Sequence, residues 1–75
     1  MTIKVFGQLV DIIGSTTFEM NDAVDTDGLV KILESKYPVL ITSKYKIAVS
    51  RNLIQSNTAL QQDAEVALLP PFSGG

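Results

Sequence analysis

Seventy-five residues, a net charge of −2 and the absence of cysteine and histidine narrow the possibilities at once. A chain of this length makes one small domain, and without those side chains it lacks a disulfide and the usual ligands for zinc or an iron–sulfur cluster. The six basic residues (Lys4, Lys31, Lys36, Lys44, Lys46 and Arg51) are scattered, which argues against nucleic acid as a partner. No apolar run approaches the roughly 20 residues that span a bilayer, and no leader pattern opens the chain, so a soluble cytoplasmic protein is expected.

Ile3 and Val5 alternate with Thr2, Lys4 and Phe6, the period of a strand whose inner face carries Ile3 and Val5. Gly7 breaks it. Leu9, Ile12 and Ile13 fall at helical spacing ahead of Gly14, which suits the left-handed position closing a short helical turn. Thr16 to Met20 alternates and is rich in β-formers, predicting a second strand.

Asn21 to Asp25 reads as a turn, with Thr26 or Asp25 as the N-cap of the principal helix, Asp27 to Lys36. Leu29, Val30, Ile32, Leu33 and then Tyr37 cover an arc of roughly 160° at about 100° per residue, so one face of this helix packs on a sheet. Gly28 in its first turn weakens it by about 1 kcal/mol relative to Ala. Pro38 ends it, because the residue before a proline avoids helical angles.

Tyr45 to Val49 is predicted as a third strand with Ile47 and Val49 inward, Ser50-Arg51-Asn52 as a turn, and Leu53-Ile54 as a short return strand. Gln61 to Ala64 is polar and turn-like. Glu65 to Leu69 is apolar on both faces, as in a strand that is central or covered on its second side. Pro70-Pro71 cannot donate ladder hydrogen bonds and terminates it. The order strand, short turn, strand, helix and three strands implies an α+β layer, one main helix on one mixed sheet. Residues 1–69 form the domain and residues 70–75 an extended tail.

That tail is the candidate working element. Pro70-Pro71 favours an extended path, so the six residues from Pro70 to Gly75 could project about 18–20 Å at 3.1–3.3 Å per residue. Gly74 and Gly75 carry no Cβ and can enter a slot too narrow for any other residue. The handle at the tip is an α-carboxyl with a pKa of about 3.5, ionised at neutral pH and a poor electrophile until it is activated. The chain has no glycine motif for ATP and no Ser–His or Cys–His pair, hence no catalytic machinery of its own. Activation has to come from a partner enzyme that uses ATP.

Several stretches carry a resemblance: Ile3-Lys4-Val5-Phe6-Gly7-Gln8, Ile12-Ile13-Gly14, Leu29 to Leu33, Ala48-Val49, and above all Glu65-Val66-Ala67-Leu68-Leu69-Pro70-Pro71-Phe72-Ser73-Gly74-Gly75. In these the chain resembles the ubiquitin-like β-grasp sulfur carriers, most closely the small subunits of molybdopterin synthase, over essentially its whole length. The resemblance implies that an adenylyltransferase of the ubiquitin-activating type adenylates Gly75 and that a sulfurtransferase converts it to a thiocarboxylate. The tail would then enter the synthase large subunit and give its sulfur to a cyclic pyranopterin precursor of the molybdenum cofactor. The expected partner surface is Phe6, Leu53 and Leu69 with Pro70, Pro71, Phe72 and Ser73, and Gly74 and Gly75 are the reacting end. No metal or cofactor is expected on the chain itself.

Three positions depart from the pattern of such relatives. Val10-Asp11 stands where many have Arg-Glu, Gln62-Asp63-Ala64 replaces Asp-Gly-Asp, and Ser50 replaces Asn. Asp63 tolerates left-handed angles less well than glycine. Other destinations use the same tail: a thiamine-type sulfur carrier, a modifier joined to lysines through Gly75, or a binding domain whose tail is incidental.

Overall fold

The computed structural model describes residues 1–71. Within them β1 (Thr2–Val5), α1 (Leu9–Ile13), β2 (Thr17–Glu19), α2 (Thr26–Lys36), α3 (Val39–Thr42), β3 (Lys46–Val49), β4 (Asn52–Leu53) and β5 (Glu65–Leu69) follow one another. The strands make one mixed sheet in the order β2-β1-β5-β3-β4. β1 runs parallel to β5 and antiparallel to β2, while β3 runs antiparallel to both β5 and β4. The two-sided apolar strand β5 is the central one.

Strand alternation sends Ile3, Val5, Ile47, Val66 and Leu68 to one face, where Leu29 and Leu33 of α2 meet them. Ile3, Leu29, Leu33, Val66 and Leu68 have no exposed surface at all. Each such side chain contributes about 1.5–3 kcal/mol by leaving water, and this layer holds α2 to the sheet.

Asp25 is the N-cap of α2, its Oδ1 accepting from the Gly28 N–H at 2.8 Å. The Gly28 N–H first, and then the Asn57 side chain, hold its carboxyl below the usual carboxylate range. Asn57 also accepts from the Asp27 N–H at 2.9 Å, while buried Thr26 exchanges bonds with Thr58: the Thr26 N–H donates to its carbonyl and the Thr26 hydroxyl accepts from its N–H, both at 2.9 Å. These contacts, with an isolated bridge between Asp25 and Ala59, fasten the loop after β4 to the start of α2.

The chain contains more helix than its pattern implies. Pro38 ends one helix and begins another: with φ −58° it caps α3, accepting from the Ile41 N–H at 3.0 Å. α3 drops Leu40 into the core and leaves Val39 and Ile41 exposed. The return strand is Asn52–Leu53 rather than Leu53-Ile54, because Asn52 pairs with Val49 across a two-residue loop. Both loop residues, Ser50 at φ 50° and Arg51 at φ 70°, are left-handed, the twist that suits a tight hairpin. Asp63 is not left-handed. Its turn closes instead through the Ala64 N–H to the Gln61 carbonyl at 3.0 Å. Among the described residues no helix is long and apolar enough to cross a membrane.

Candidate docking face and tail root

The face of the sheet turned away from α2 is uncovered. Outward residues run in rows fixed by the strand registers. Thr17, Lys4, Ala67, Ala48 and Leu53 form one row across all five strands. One step nearer the tail, Lys46 faces Leu69, and Phe6, which follows Val5, comes beside Leu69 because Val5 pairs with Leu68. The Phe6 N–H extends that ladder to the Leu68 carbonyl at 3.1 Å.

All three apolar residues expected at a partner surface therefore lie on one face. Phe6 is 45% exposed and Leu53 50% exposed, so neither is spent on the core. Leu69 is half-buried and is the last residue of β5 before the tail. Phe6 and Leu69 are adjacent, whereas Leu53 sits one strand beyond Ala48. Between them lie Ala48, itself buried, and half-buried Ala67, whose small side chains put nothing bulky in the gap.

Lys4 and Lys46 stand on this face as cations. Lys4 Nζ lies 3.5 Å from Glu65 and Arg51 Nε lies 3.9 Å from the same carboxylate. In exposed positions such pairs contribute about 0–1 kcal/mol and leave the charges free to exchange partners.

The tail root is built at the same end. In the parallel pattern, the next donor after the Phe6 bond would be residue 70, aimed at the Phe6 carbonyl. Proline has no N–H, so the ladder between β1 and β5 stops there and the chain is released. Pro70 is half-buried and Pro71 exposed. Gly7, at φ +61°, turns the chain after β1 beneath the Pro70 ring and accepts from the Val10 N–H at 3.1 Å to start α1. A hollow of about 380 Å³ beside Pro71 is lined by Gln8, Leu9, Asp11, Ile12, Ser43 and Lys44. Phe72, Ser73, Gly74 and Gly75, the remaining tail residues of interest, lie outside the described residues.

A groove of about 680 Å³ lies between α2 and the β3–β4 hairpin. It holds Tyr45, whose hydroxyl donates to Glu34 Oε2 at 3.2 Å. Burial, together with the Glu34 charge and that bond, pushes the phenol up to about 12. A phenol so hard to ionise does not work as a base near neutral pH. Among the described residues no group of three or more His, Cys, Asp or Glu could hold a metal.

Sequence reasoning missed Gly7, Ala48 and Ala67 as parts of this site. Gly7 did signal itself, as a glycine closing a strand immediately before a helical turn. The two alanines carried no signal, because their value lies in what they leave open.

Comparison with known proteins agrees with this geometry. The ThiS family model matches residues 3–75. The small archaeal modifier protein 1 of Methanosarcina acetivorans superposes with a TM-score of 0.80 at 23% identity, over 99% of this chain and 94% of that one. Its counterpart from Haloferax volcanii gives 0.75 at 22% identity, over 99% and 97%. At these identities the likeness shows the shared ubiquitin-like β-grasp fold. A complex of subunits 1 and 2 of the molybdopterin-converting factor from Helicobacter pylori contains a chain 30% identical to this one, with a TM-score of 0.72 over 99% and 96% of the two. With the whole body of the chain and its Gly-Gly end inside one family match, this protein belongs to the ThiS family of ubiquitin-like sulfur carriers.

Proposed function

We propose that the chain is the sulfur-donating small subunit of a molybdopterin synthase. The observation that carries this reading is the uncovered apolar face of Phe6, Leu69 and Leu53 beside the tail root, on a chain 30% identical to one in the two-subunit molybdopterin-converting factor. A surface of that kind fits a large subunit into which the tail reaches.

The chemistry follows from the tail. A Gly75 carboxylate oxygen attacks the α-phosphorus of ATP on an adenylyltransferase partner, and pyrophosphate leaves. Sulfur delivered by a sulfurtransferase at the sulfide level then attacks the acyl carbon as HS⁻, AMP departs with the bonding pair, and a thiocarboxylate remains. Its sulfur attacks an oxygen-bearing carbon of the pyranopterin precursor in the large subunit, and the C–O bond there breaks, the oxygen leaving with the bonding pair and taking up a proton. Water finally cleaves the acyl–sulfur bond, leaving sulfur on the pterin and restoring the carboxylate. The large subunit supplies the acid and base groups, and this chain supplies the nucleophile and its delivery.

Intact mass tests the first half. Incubation with the source organism's adenylyltransferase, ATP and a sulfide source should add about 16 Da, oxygen replaced by sulfur, and deletion of Gly75 should abolish the gain. No gain, under conditions that charge an authentic carrier, overturns the reading. Adding the large subunit and precursor tests the second half. Charged protein that yields no dithiolene product, but serves a thiazole precursor or becomes linked to lysines, would move it to another branch of the family.

A further inference from the structure

Gly7 occupies an unusual place. It ends β1, opens the turn of α1 and lies directly beneath the root of the tail. A Cβ added there would stand 2.8 Å from Pro70 Cγ, 3.4 Å from Cδ and 3.5 Å from Cβ of the same ring. The first distance is well inside van der Waals contact. Gly14, the other left-handed glycine among the described residues, has open space around it. The contact at Gly7 is therefore a property of this site rather than of left-handed glycines in general.

On this basis, and resting on the sulfur-carrier reading above, we infer that Gly7 is a positioning residue that fixes the direction in which the tail leaves the sheet. The bare Gly7 backbone forms a floor on which the Pro70 ring sits. Leu69 cannot yield, because it is registered with Lys46 on one side, while Phe6 is bonded to Leu68 on the other. Pro70 is the first residue beyond the ladders of β5, which end with Leu68 on the β1 side and Leu69 on the β3 side, and thus the first that can swing. A side chain at position 7 is relieved most easily by lifting that ring, so the error passes to everything beyond it.

The lever is long relative to the tolerance of the chemistry. Were the five residues beyond Pro70 held extended in the enzyme's channel, a span of at most about 16 Å, a root rotation of about 10° would move the tip by about 3 Å. Misplacement of a reacting atom by about 1 Å can cost on the order of 100-fold in rate. Small changes at Gly7 should therefore slow the reactions of Gly75 while leaving the docking face intact.

The test uses the full chain with Gly7→Ala, Gly7→Asn, Pro70→Ala and the double variant Gly7→Ala/Pro70→Ala. Asparagine tolerates the left-handed conformation but carries the same Cβ, so it separates ring contact from backbone strain. Charging by the adenylyltransferase is followed by intact mass, as a kcat and KM for the carrier. Gly7→Ala and Gly7→Asn should lose at least about 10-fold in kcat, with KM changed less than about threefold. Pro70→Ala removes Cγ and Cδ, the two closest atoms, but also restores an N–H at position 70, so the double variant is scored against Pro70→Ala alone: there Gly7→Ala should cost at most half, on a logarithmic scale, of what it costs beside Pro70. Backbone amide NMR shifts should change for residues 5–10, 68, 69 and Phe72 but not across α2.

Wild-type kcat in Gly7→Asn overturns the inference, as does a loss that Pro70→Ala fails to relieve. If Gly7→Ala proves too unstable to fold, Gly7→Asn decides alone by the same criterion. Des-Gly75 protein distinguishes the two levels. If it is still charged, the carrier reading has failed. If it is dead while Gly7→Asn reacts normally, only the role of Gly7 has.

Discussion

Truncating Phe6 to alanine probes the docking face most directly. The ring has about 200 Å² of surface, the middle of the range for aromatic side chains. At 45% exposure about 90 Å² remains for a partner to cover. At about 25 cal/mol per Å² this corresponds to about 2.2 kcal/mol, or about 40-fold in affinity. Area converts imperfectly to binding, and neighbouring atoms relax, so a loss of about 10- to 40-fold is expected. Calorimetric titration of Phe6→Ala into a molybdopterin synthase large subunit measures it. Circular dichroism on the same sample checks that the buried half of the ring has not been needed to keep the domain folded. Charging at Gly75 by sulfide and ATP should proceed wherever the adenylating enzyme does not grip the same ring. A folded Phe6→Ala protein that binds the large subunit within threefold of the unaltered chain would refute the assignment of this face.

Leu33→Ala removes a side chain with no exposed surface, between α2 and the sheet, and should cost about 3–5 kcal/mol in urea unfolding, much of the stability of so small a domain. Arg51→Gly, at φ 70°, should raise stability by about 0.5–1 kcal/mol in the same assay, since glycine adopts that angle without steric cost and the exposed ion pair it loses is weak. Ultraviolet titration should show Tyr45 ionising near pH 12 instead of 10, the late phase vanishing in Tyr45→Phe. Because the folded value is the raised one, the stabilising contribution of Tyr45 is complete below about pH 10 and falls away between about 10 and 12. Asp25 behaves oppositely: its folded value is lowered, so its contribution is complete above about pH 4 and fades as acid protonates it, and Asp25→Asn should flatten that limb of the acid unfolding curve.

Much of this arrangement is visible in the residue pattern, for definite reasons. Ile3 and Val5 alternate with Thr2 and Lys4, and Ile47 and Val49 are set off by Lys46 and Ser50, so a period of two leaves little choice of face. β5 declares its central position by being apolar on both sides. Parity sets Phe6 on the outer face, opposite Ile3 and Val5, whereas Leu53 and Leu69 are picked out by the resemblance to the sulfur carriers. α3 was hidden because four residues are too few for a helical period, and Val39-Leu40-Ile41 is apolar throughout. The lacing of Asn57 and Thr58 onto α2 spans some 30 residues of sequence and rests on ordinary polar side chains, which look like loop until the loop is folded over. The register of β4 depended on two left-handed residues, serine and arginine, neither of which advertises that conformation. Gly7 was legible as a break, but not as a floor, since the ring above it arrives from the far end of the chain.

The strand made latest among those described is the one in the middle of the sheet. Until β5 inserts, β2–β1 and β3–β4 are two separate hairpin-like pairs with no shared ladder between them. Their closure waits for the longest-range pairing among the described strands, β1 with β5, which should make folding slow for so short a chain. A chain cut short before β5 would hold two separate strand pairs and lack the central strand that joins them, so the sheet cannot close without the segment that leads into the tail.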